Sequence, residues 1–235
     1  MARSGPRTTA ALLDALTILG DLGIKSQDAA IVGMGGFPVG GLARYRDDFL
    51  EPRYTPRPHP HMGTDVFAAR GTPVRAPAAG TLRFTNEATG GKSAYVTTGD
   101  KTFFYMTHLD GFNKALRSGQ QVARGDVVGY VGSTGNASGS SPHVHFEIHP
   151  RGGGAINPKP FLDSWLDEAL VGVPQLVAAR TPVQAIPMTP LPGTPLVAPA
   201  DPLGLGGVVS TLAAALLLPL TPSPIGGLMA GQPAQ

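Results

Sequence analysis

Six short runs of apolar or alternating residues, with glycine, asparagine and aspartate between them, set the strongest limit on how this chain can fold. They occupy residues 72–76, 80–85, 93–98, 101–109, 126–132 and 142–148. Runs of this length with turn residues between them are typical of hairpins in an all-β domain, and no long helical stretch interrupts them. The sequence therefore predicts a mainly β domain built from antiparallel sheets.

The regions on either side of these runs differ in composition. An apolar stretch over about residues 9–20 is interrupted by aspartate, which predicts a short helix rather than a signal peptide, so residues 1–30 form an N-terminal helical segment. Residues 31–170 hold all six histidines and form the predicted domain. An apolar stripe at 161–170 predicts a helix at its end.

Residues 171–235 contain 12 of the 24 prolines and only two charged residues, Arg180 and Asp201. Such a segment is unsuited to burying a core of its own, which predicts an extended, largely disordered tail. Within it, residues 203–220 are uncharged over 18 positions, the lower limit for a membrane span. Three glycines, a proline near the end and the lack of a basic flank favour a tail or partner-docking helix over membrane association.

Composition excludes several classes of protein. The net charge is only +2, so nothing electrostatic supports a nucleic-acid partner. The chain has no cysteine, which excludes disulfides and a thiolate-ligated zinc. Any metal must therefore be held by histidine and carboxylate ligands. No signal peptide is recognisable in this chain, and the sequence leaves the oligomeric state open.

The stretch SSPHVHFEI places two histidines one residue apart in a chain that has only six. In an extended strand, residues i and i+2 share one face. His143 and His145 then stand side by side, with Val144 and Phe146 on the other face. Such a pair is a poor core element and suits a metal or proton-transfer site.

A second cluster lies in PHPHMGTDV, residues 58–66, where His61 and Asp65 are four residues apart. Its prolines and glycine argue against a helix, but a loop that runs into a strand can still bring both side chains to one metal. With one histidine of the H-x-H pair they would supply two imidazoles and a carboxylate. A fourth tetrahedral position stays open for water, the arrangement of a catalytic zinc. His108, at a strand end, adds an imidazole for proton transfer or substrate orientation.

Together these stretches resemble the lysostaphin/LytM-type zinc metallopeptidases, which cut peptide bridges in bacterial peptidoglycan. The resemblance covers about residues 50–165 and is carried by HMGTDV (61–66), GTPVRAPAAGTL (71–82), YMTHLDGF (105–112) and SGQQVARGDVVGYVGSTGNASGSSPHVHFEI (118–148). It implies a duplicated hybrid motif-like fold of antiparallel sheets. It also implies one zinc ion per chain, peptidoglycan peptides as the substrate, and action in the cell envelope or outside the cell.

The resemblance also implies roles for individual residues. The family's zinc ligands fall on His61, Asp65 and His145, and its two catalytic histidines fall on His108 and His143. These residues imply a zinc-dependent endopeptidase that hydrolyses a stem or cross-bridge peptide with a metal-activated water. Which histidine is the general base, and which bond is cut, is left open by the sequence.

The family often has an aromatic residue two positions before the histidine–leucine pair. Here that position is Met106, and Tyr105 stands one residue further back. The departure bears on substrate contacts and leaves the proposed chemistry unchanged.

Further residues near the motifs have weaker predictions. His59, between two prolines, is expected to be a loop residue, and His149 is expected to face solvent. Glu147 shares a strand face with the H-x-H pair, so it is either a hydrogen-bond partner of the site or an ordinary strand-edge carboxylate. The glycine-rich loops 132–141 and 86–92 are candidate walls of a substrate groove.

Two other functions compete with an endopeptidase. One is a catalytically silent member of the fold that binds peptidoglycan or activates a cell-wall hydrolase, but such proteins typically lose metal ligands, and here all three are present. The other is a purely structural zinc site, which has a closed coordination sphere and no need for His108 or His143.

Overall fold

The computed structural model describes residues 5–21, 34–54 and 57–180. In order along the chain, their helices and strands are β1 (Arg7–Thr8), α1 (Ala10–Asp21), β2 (Ala43–Tyr45), β3 (Pro52–Arg53), β4 (His59–Pro60), β5 (Thr64–Ala68), β6 (Pro73–Arg75), β7 (Gly80–Glu87), β8 (Gly91–Thr97), β9 (Phe103–Leu109), β10 (Gly111–Phe112), β11 (Gln121–Val122), β12 (Val127–Tyr130), β13 (His143–His149) and α2 (Lys159–Arg180). Two short 3-10 helices, Gly135–Ala137 and Pro150–Gly152, flank β13.

The strands form one large sheet and two small ones. The large sheet has the strand order β1-β2-β5-β13-β9-β8-β7-β11, and the small sheets have the orders β10-β12-β6 and β3-β4. Every pairing within them is antiparallel. The prediction of a mainly β fold of antiparallel sheets is confirmed.

Period-two alternation decides which side of the large sheet forms the core. On β13, Val144, Phe146 and Ile148 are buried in the hydrophobic core, while the intervening histidines and Glu147 point to the opposite face. The core face is covered by α2, whose Trp165 lies with its ring centroid 6.2 Å from that of Phe146. The opposite face of the sheet is left to carry the polar residues of the site.

The N-terminal segment is part of the same structure. The predicted helix at about residues 9–20 is observed as α1, and β1 extends the large sheet by pairing with β2. Arg7 donates hydrogen bonds to the Asp167 carboxylate of α2, and α1 packs against that helix. The start of the described chain is therefore tied to its last helix.

Helix α2 is longer than the sequence predicts. The predicted helix covers 161–170, but the observed helix runs from Lys159 to Arg180, so the predicted boundary before the tail 171–235 falls inside it. The apolar stripe explains this, because buried Leu162, Leu166, Ala169 and Val173 continue at helical spacing past residue 170.

The rest of the predicted tail, including the apolar residues 203–220, lies outside the described residues. Within the part of the chain that the structure describes, no helix has both the length and the apolar character needed to cross a membrane.

Candidate metal centre

Three side chains converge on the polar face of the large sheet. The ligand atoms of His61, Asp65 and His145 all lie within 4.8 Å of one another. Asp65 Oδ1 is 3.0 Å from His61 Nε2 and 3.2 Å from His145 Nδ1, and these two nitrogens are 2.8 Å apart. The strands explain the convergence, because the β5–β13 register sets Asp65 directly opposite His145, and His61 enters from the loop just before β5.

Both imidazoles of the cluster are oriented by a partner on the far side of the ring. His61 Nδ1 lies 2.9 Å from the carbonyl oxygen of Asp48 and donates to it, which turns Nε2 toward the cluster. His145 Nε2 donates to Glu147 Oε1 at 2.8 Å, so Nδ1 is the nitrogen that faces Asp65. Outer partners of this kind fix the orientation of metal-binding histidines.

Arg53 fixes the third side chain. Its Nη2 donates to Asp65 Oδ2 at 2.9 Å and to Asp48 Oδ2 at 3.2 Å, so Oδ1 is the Asp65 oxygen left facing the imidazoles. The same Nη2 is 2.9 Å from His61 Nδ1, but its two protons go to the charged carboxylates, which are the stronger acceptors. His61 Nδ1 therefore keeps its own proton for the Asp48 carbonyl.

The cluster has a marked separation of charge. Burial raises the pKa of Asp65, but hydrogen bonds from His145 and His61 outweigh it and hold the pKa well below its ordinary value. Burial lowers the pKa of His145, but hydrogen bonds to Asp65 and Glu147 outweigh it and raise the pKa to about 9. Asp65 is therefore ionised, and a metal bound at His145 Nδ1 would displace a proton.

His108 reaches the same face of the sheet through a β-bulge. Regular alternation along β9 would place it in the core beside Met106, which is fully buried. One extra residue on β9 interrupts its pairing with β8 just before Leu109, and His108 itself has φ 61°. The bulge turns the ring outward, so that its centroid lies 5.0 Å from that of His143 and 6.2 Å from that of His145.

The loop 132–141 orients His108 and His143 through backbone carbonyls. His108 Nδ1 donates to Thr134 O at 2.9 Å, and His143 Nδ1 donates to Ser141 O at 2.8 Å. Because a carbonyl can only accept, Nδ1 carries the proton in both rings. Nε2 of each ring makes no hydrogen bond to the described residues, and that of His143 lies 4.0 Å from Asp65 Oδ1. Burial, and then repulsion by the neighbouring imidazoles, lowers the pKa of His108 to about 4, so this ring is neutral at pH 7.

Beyond the cluster, the polar face continues across the sheet as aromatic and acidic side chains. Met106 occupies the core, whereas Tyr105 faces the site side, directly opposite Glu147 in the strand register. The ring centroid of Tyr105 lies 4.4 Å from that of Tyr95, and both hydroxyls donate to Glu87, at 2.8 and 3.0 Å. The aromatic residue of this strand therefore lies one position earlier than is usual in the family, on the face that carries the cluster.

The weaker predictions have mixed outcomes. His59 is exposed and contacts the Arg57 carbonyl, but it lies in the two-residue strand β4 rather than in a loop. Glu147 is a partner of the cluster rather than a free edge carboxylate. The expectation that His149 faces solvent is wrong: its side chain is only 17% exposed, because it stacks on Phe103 and its Nε2 contacts Glu147 Oε2 at 2.5 Å.

Sequence reasoning missed Arg53 and Asp48. Both lie N-terminal to the histidine motif, in a segment of alternating acidic and basic residues, and no spacing rule links them to a metal site. The only signal was the density of charge in residues 44–53 within a chain that is otherwise poor in charge.

With this geometry established, comparison with known proteins gives the family. The model of "Peptidase family M23" matches residues 59–158, a range that includes His61, Asp65, His108, His143 and His145. Residues 59–158 of this chain are therefore a peptidase family M23 domain. The resemblance to lysostaphin/LytM-type peptidases is thereby confirmed.

Relatives of this M23 chain include peptidoglycan endopeptidases. It is 33% identical to an L-Ala–D-Glu endopeptidase of Bacillus subtilis, over 45% of this chain and 35% of the relative. It is 35% identical to the peptidoglycan DD-endopeptidase ShyA of Vibrio cholerae, over 49% of this chain and 27% of the relative. The catalytic domain of the antimicrobial peptidase lysostaphin from Staphylococcus simulans is 31% identical, over 44% of this chain and 80% of that domain, with a TM-score of 0.38.

The shared part of the M23 chain and its curated relatives is limited. The chain spans about a third of the length of the Bacillus relative and about a quarter of that of ShyA.

Proposed function

We propose that this chain is a zinc-dependent endopeptidase that hydrolyses peptide bonds in peptidoglycan, with His61, Asp65 and His145 as zinc ligands and His108 and His143 as catalytic residues. One observation carries the proposal: three ligand atoms within 4.8 Å lie beside two further imidazoles whose Nε2 atoms have no hydrogen-bond partner among the described residues. A silent binding module or a closed structural site has no use for that second pair.

The donor set fits zinc. Two imidazole nitrogens and one carboxylate oxygen are zinc ligands of the catalytic type, which leaves a fourth position for water. Each of the three has a partner on its far side: Asp48 for His61, Glu147 for His145, and Arg53 for Asp65. These partners direct one free ligand atom of each side chain toward the same point. One zinc ion per chain follows from the single cluster found among the described residues.

The chain's own residues would handle the protons. When bound, zinc supplies a Lewis acid that acidifies water and polarises a peptide carbonyl. His108 and His143, both in the Nδ1–H form, present Nε2 as a proton acceptor on the same side of the sheet. One of them accepts a proton from the attacking water, and a protonated ring then donates to the leaving amine.

The substrate is inferred from the relatives. One is named for an L-Ala–D-Glu bond and another as a DD-endopeptidase, so the M23 domain is used against different bonds of peptidoglycan peptides. For this chain we infer a stem or cross-bridge peptide, held on the polar face of the sheet between loops 86–92 and 132–141. Such a substrate implies action in the cell envelope or outside the cell.

Digestion of purified, cross-linked peptidoglycan by the full chain tests the proposal. Mass spectrometry of released fragments should show cleavage that a zinc chelator abolishes and added zinc restores, and the fragment masses identify the bond. The His143→Ala variant should bind one zinc and release nothing, while His59→Ala, which changes an exposed histidine outside the cluster, should behave as the wild type. Intact peptidoglycan after treatment with the zinc-loaded wild type would contradict an endopeptidase and favour a binding module.

A further inference from the structure

We propose that Thr134 is a positioning residue that fixes the tautomer of His108. The effect of Thr134 on catalysis rests on the proposed function, but its effect on the His108 tautomer does not. The hydrogen bonds of the Thr134 hydroxyl go to Lys92 and Leu109 and not to the metal cluster. Thr134 acts on His108 through its backbone carbonyl.

The Thr134 hydroxyl bridges β8 and β9 where the β-bulge interrupts their pairing. Lys92 on β8 and Leu109 on β9 face each other at the end of the bulged pairing. Lys92 N–H donates to Thr134 Oγ1 at 3.0 Å, and the same hydroxyl donates to Leu109 O at 2.9 Å. One hydroxyl thus bridges an amide and a carbonyl of two facing residues and ties the loop to both strands.

The same residue holds His108 at two points. Thr134 O accepts the Nδ1 proton of His108 at 2.9 Å, and Thr134 N donates to His108 O at 3.3 Å. On its other side, His108 N donates to Gly90 O at 2.8 Å. The strained φ of His108 is therefore maintained by the two loops on either side of it.

Close backbone contact leaves little room for the loop to shift. Gly91 and Gly135 both have positive φ, 62° and 68°. A Cβ on Gly91 would lie 2.3 Å from Thr134 Oγ1, and one on Gly135 would lie 2.2 Å from Thr89 O. The hydroxyl is therefore packed directly against the 86–92 loop, and its hydrogen bonds decide where the Thr134 carbonyl points.

The direction of that carbonyl matters because a neutral imidazole has two tautomers. In the Nδ1–H form, His108 Nε2 is an acceptor; in the Nε2–H form it is a donor and cannot take a proton from water. Among the described residues, it is the hydrogen bond to Thr134 O that selects the first form. A loop released from the strands would let the Nε2–H form prevail, and the active fraction would fall to the molecules that keep the Nδ1–H form.

The test compares Thr134→Val, which keeps the shape and loses the hydroxyl, with Thr134→Ser, which keeps the hydroxyl. Thr98→Val is the matched control, because the Thr98 hydroxyl also bonds local acceptors, Asp100 Oδ1 at 2.5 Å and Thr102 O at 2.9 Å, at the opposite end of the β8–β9 hairpin. The imidazole tautomer is read by long-range ¹⁵N–¹H NMR on the zinc-loaded full chain, and kcat and KM are measured on a peptidoglycan peptide.

For Thr134→Val we expect kcat to fall by about 10- to 100-fold with KM changed by less than about 2-fold. His108 should show the Nε2–H form, while His143, held by Ser141 O, stays in the Nδ1–H form. Thr134→Ser should restore both readouts, and Thr98→Val should leave them unchanged.

The proposal is overturned if His108 keeps the Nδ1–H form in Thr134→Val, or if Thr134→Ser is as impaired as Thr134→Val. If Thr134→Val does not fold, Thr134→Ala replaces it, and failure of both to fold would overturn the proposal by making Thr134 a stability residue. The wild type could lack peptidase activity while His108 still changes tautomer in Thr134→Val. That result would support the positioning role of Thr134 and contradict the proposed function.

Discussion

The two halves of the candidate site are built by different means. The ligand half, Asp65 and His145, comes from regular antiparallel pairing of β5 with β13, near the middle of the large sheet. The histidine half depends on the bulge that carries His108 and on the carbonyls of loop 132–141. The comparison suggests a division of labour, in which regular strands hold the metal and an irregular strand end with its loop sets the proton chemistry.

The largest effect that tests this division is expected from His145→Ala. Removal of one of three ligands should reduce bound zinc to well below one per chain and abolish cleavage. Zinc at about 100 times its Kd should stabilise the wild type by about 2.7 kcal/mol, since it binds only the folded state, and should leave the variant unchanged. Metal analysis and thermal unfolding with and without zinc measure both effects; a variant that still bound one zinc would remove His145 from the ligand half.

The second-largest effect is expected in the histidine half. His108→Ala should keep one zinc per chain and the zinc-dependent stabilisation, while kcat falls by about 10²- to 10⁴-fold because a proton-transfer group is lost. Metal analysis and kinetics on the same sample separate the two quantities. Loss of zinc together with activity would show that the two halves are not independent.

A smaller effect is expected from Glu147→Gln. The neutral amide weakens the hydrogen bond that orients His145, so zinc affinity should fall by about 10-fold or more. Competition with a fluorescent zinc chelator measures the change. Glu87→Gln is the control, since Glu87 lies on the same face of the sheet but bonds Tyr105 and Tyr95 rather than a ligand; equal losses in both variants would point to a general charge effect.

The smallest effect is a packing one. A Cβ on Gly63 would lie 2.5 Å from Phe146 O and 2.7 Å from His145 Cε1, so Gly63→Ala forces the ring or the strand to move. We expect a loss of about 1–3 kcal/mol in the free energy of unfolding and a modest loss of zinc affinity. Gly99→Ala, where a Cβ meets nothing within 4 Å, is the control for denaturant unfolding. If Gly63→Ala has the unfolding free energy and zinc affinity of the wild type, the ligand half tolerates movement of the His145 ring or of its strand.

The same division explains what the sequence could predict. Strand alternation and turn residues were enough for the antiparallel sheets and for the shared face of His143 and His145, because both depend on period two alone. Alternation would have placed His108 in the core, and its position at a strand end together with the family resemblance assigned it to the site. The bulge that exposes it depends on loops distant in sequence, which a local pattern does not encode.

The misjudged features have the same origin. His149 is covered because Phe103 stands opposite it on the neighbouring strand, a fact of register. Arg53 and Asp48 reach the cluster through the fold of the β3–β4 hairpin and the loop before it, without a spacing signal. Helix α2 extends beyond its predicted end because its stripe of buried apolar residues continues into a region whose composition already resembles a tail.

The two-residue strand β1 has a consequence for handling the protein. It forms one edge of the large sheet and pairs with β2, which would otherwise offer unpaired amides and carbonyls to a neighbouring molecule. A reagent trimmed to the family-matched residues 59–158 would lose β1, β2 and helix α2, which leaves β5 as the exposed edge. Such a reagent would be prone to aggregate through strand-to-strand association, even though every residue of the proposed chemistry had been kept.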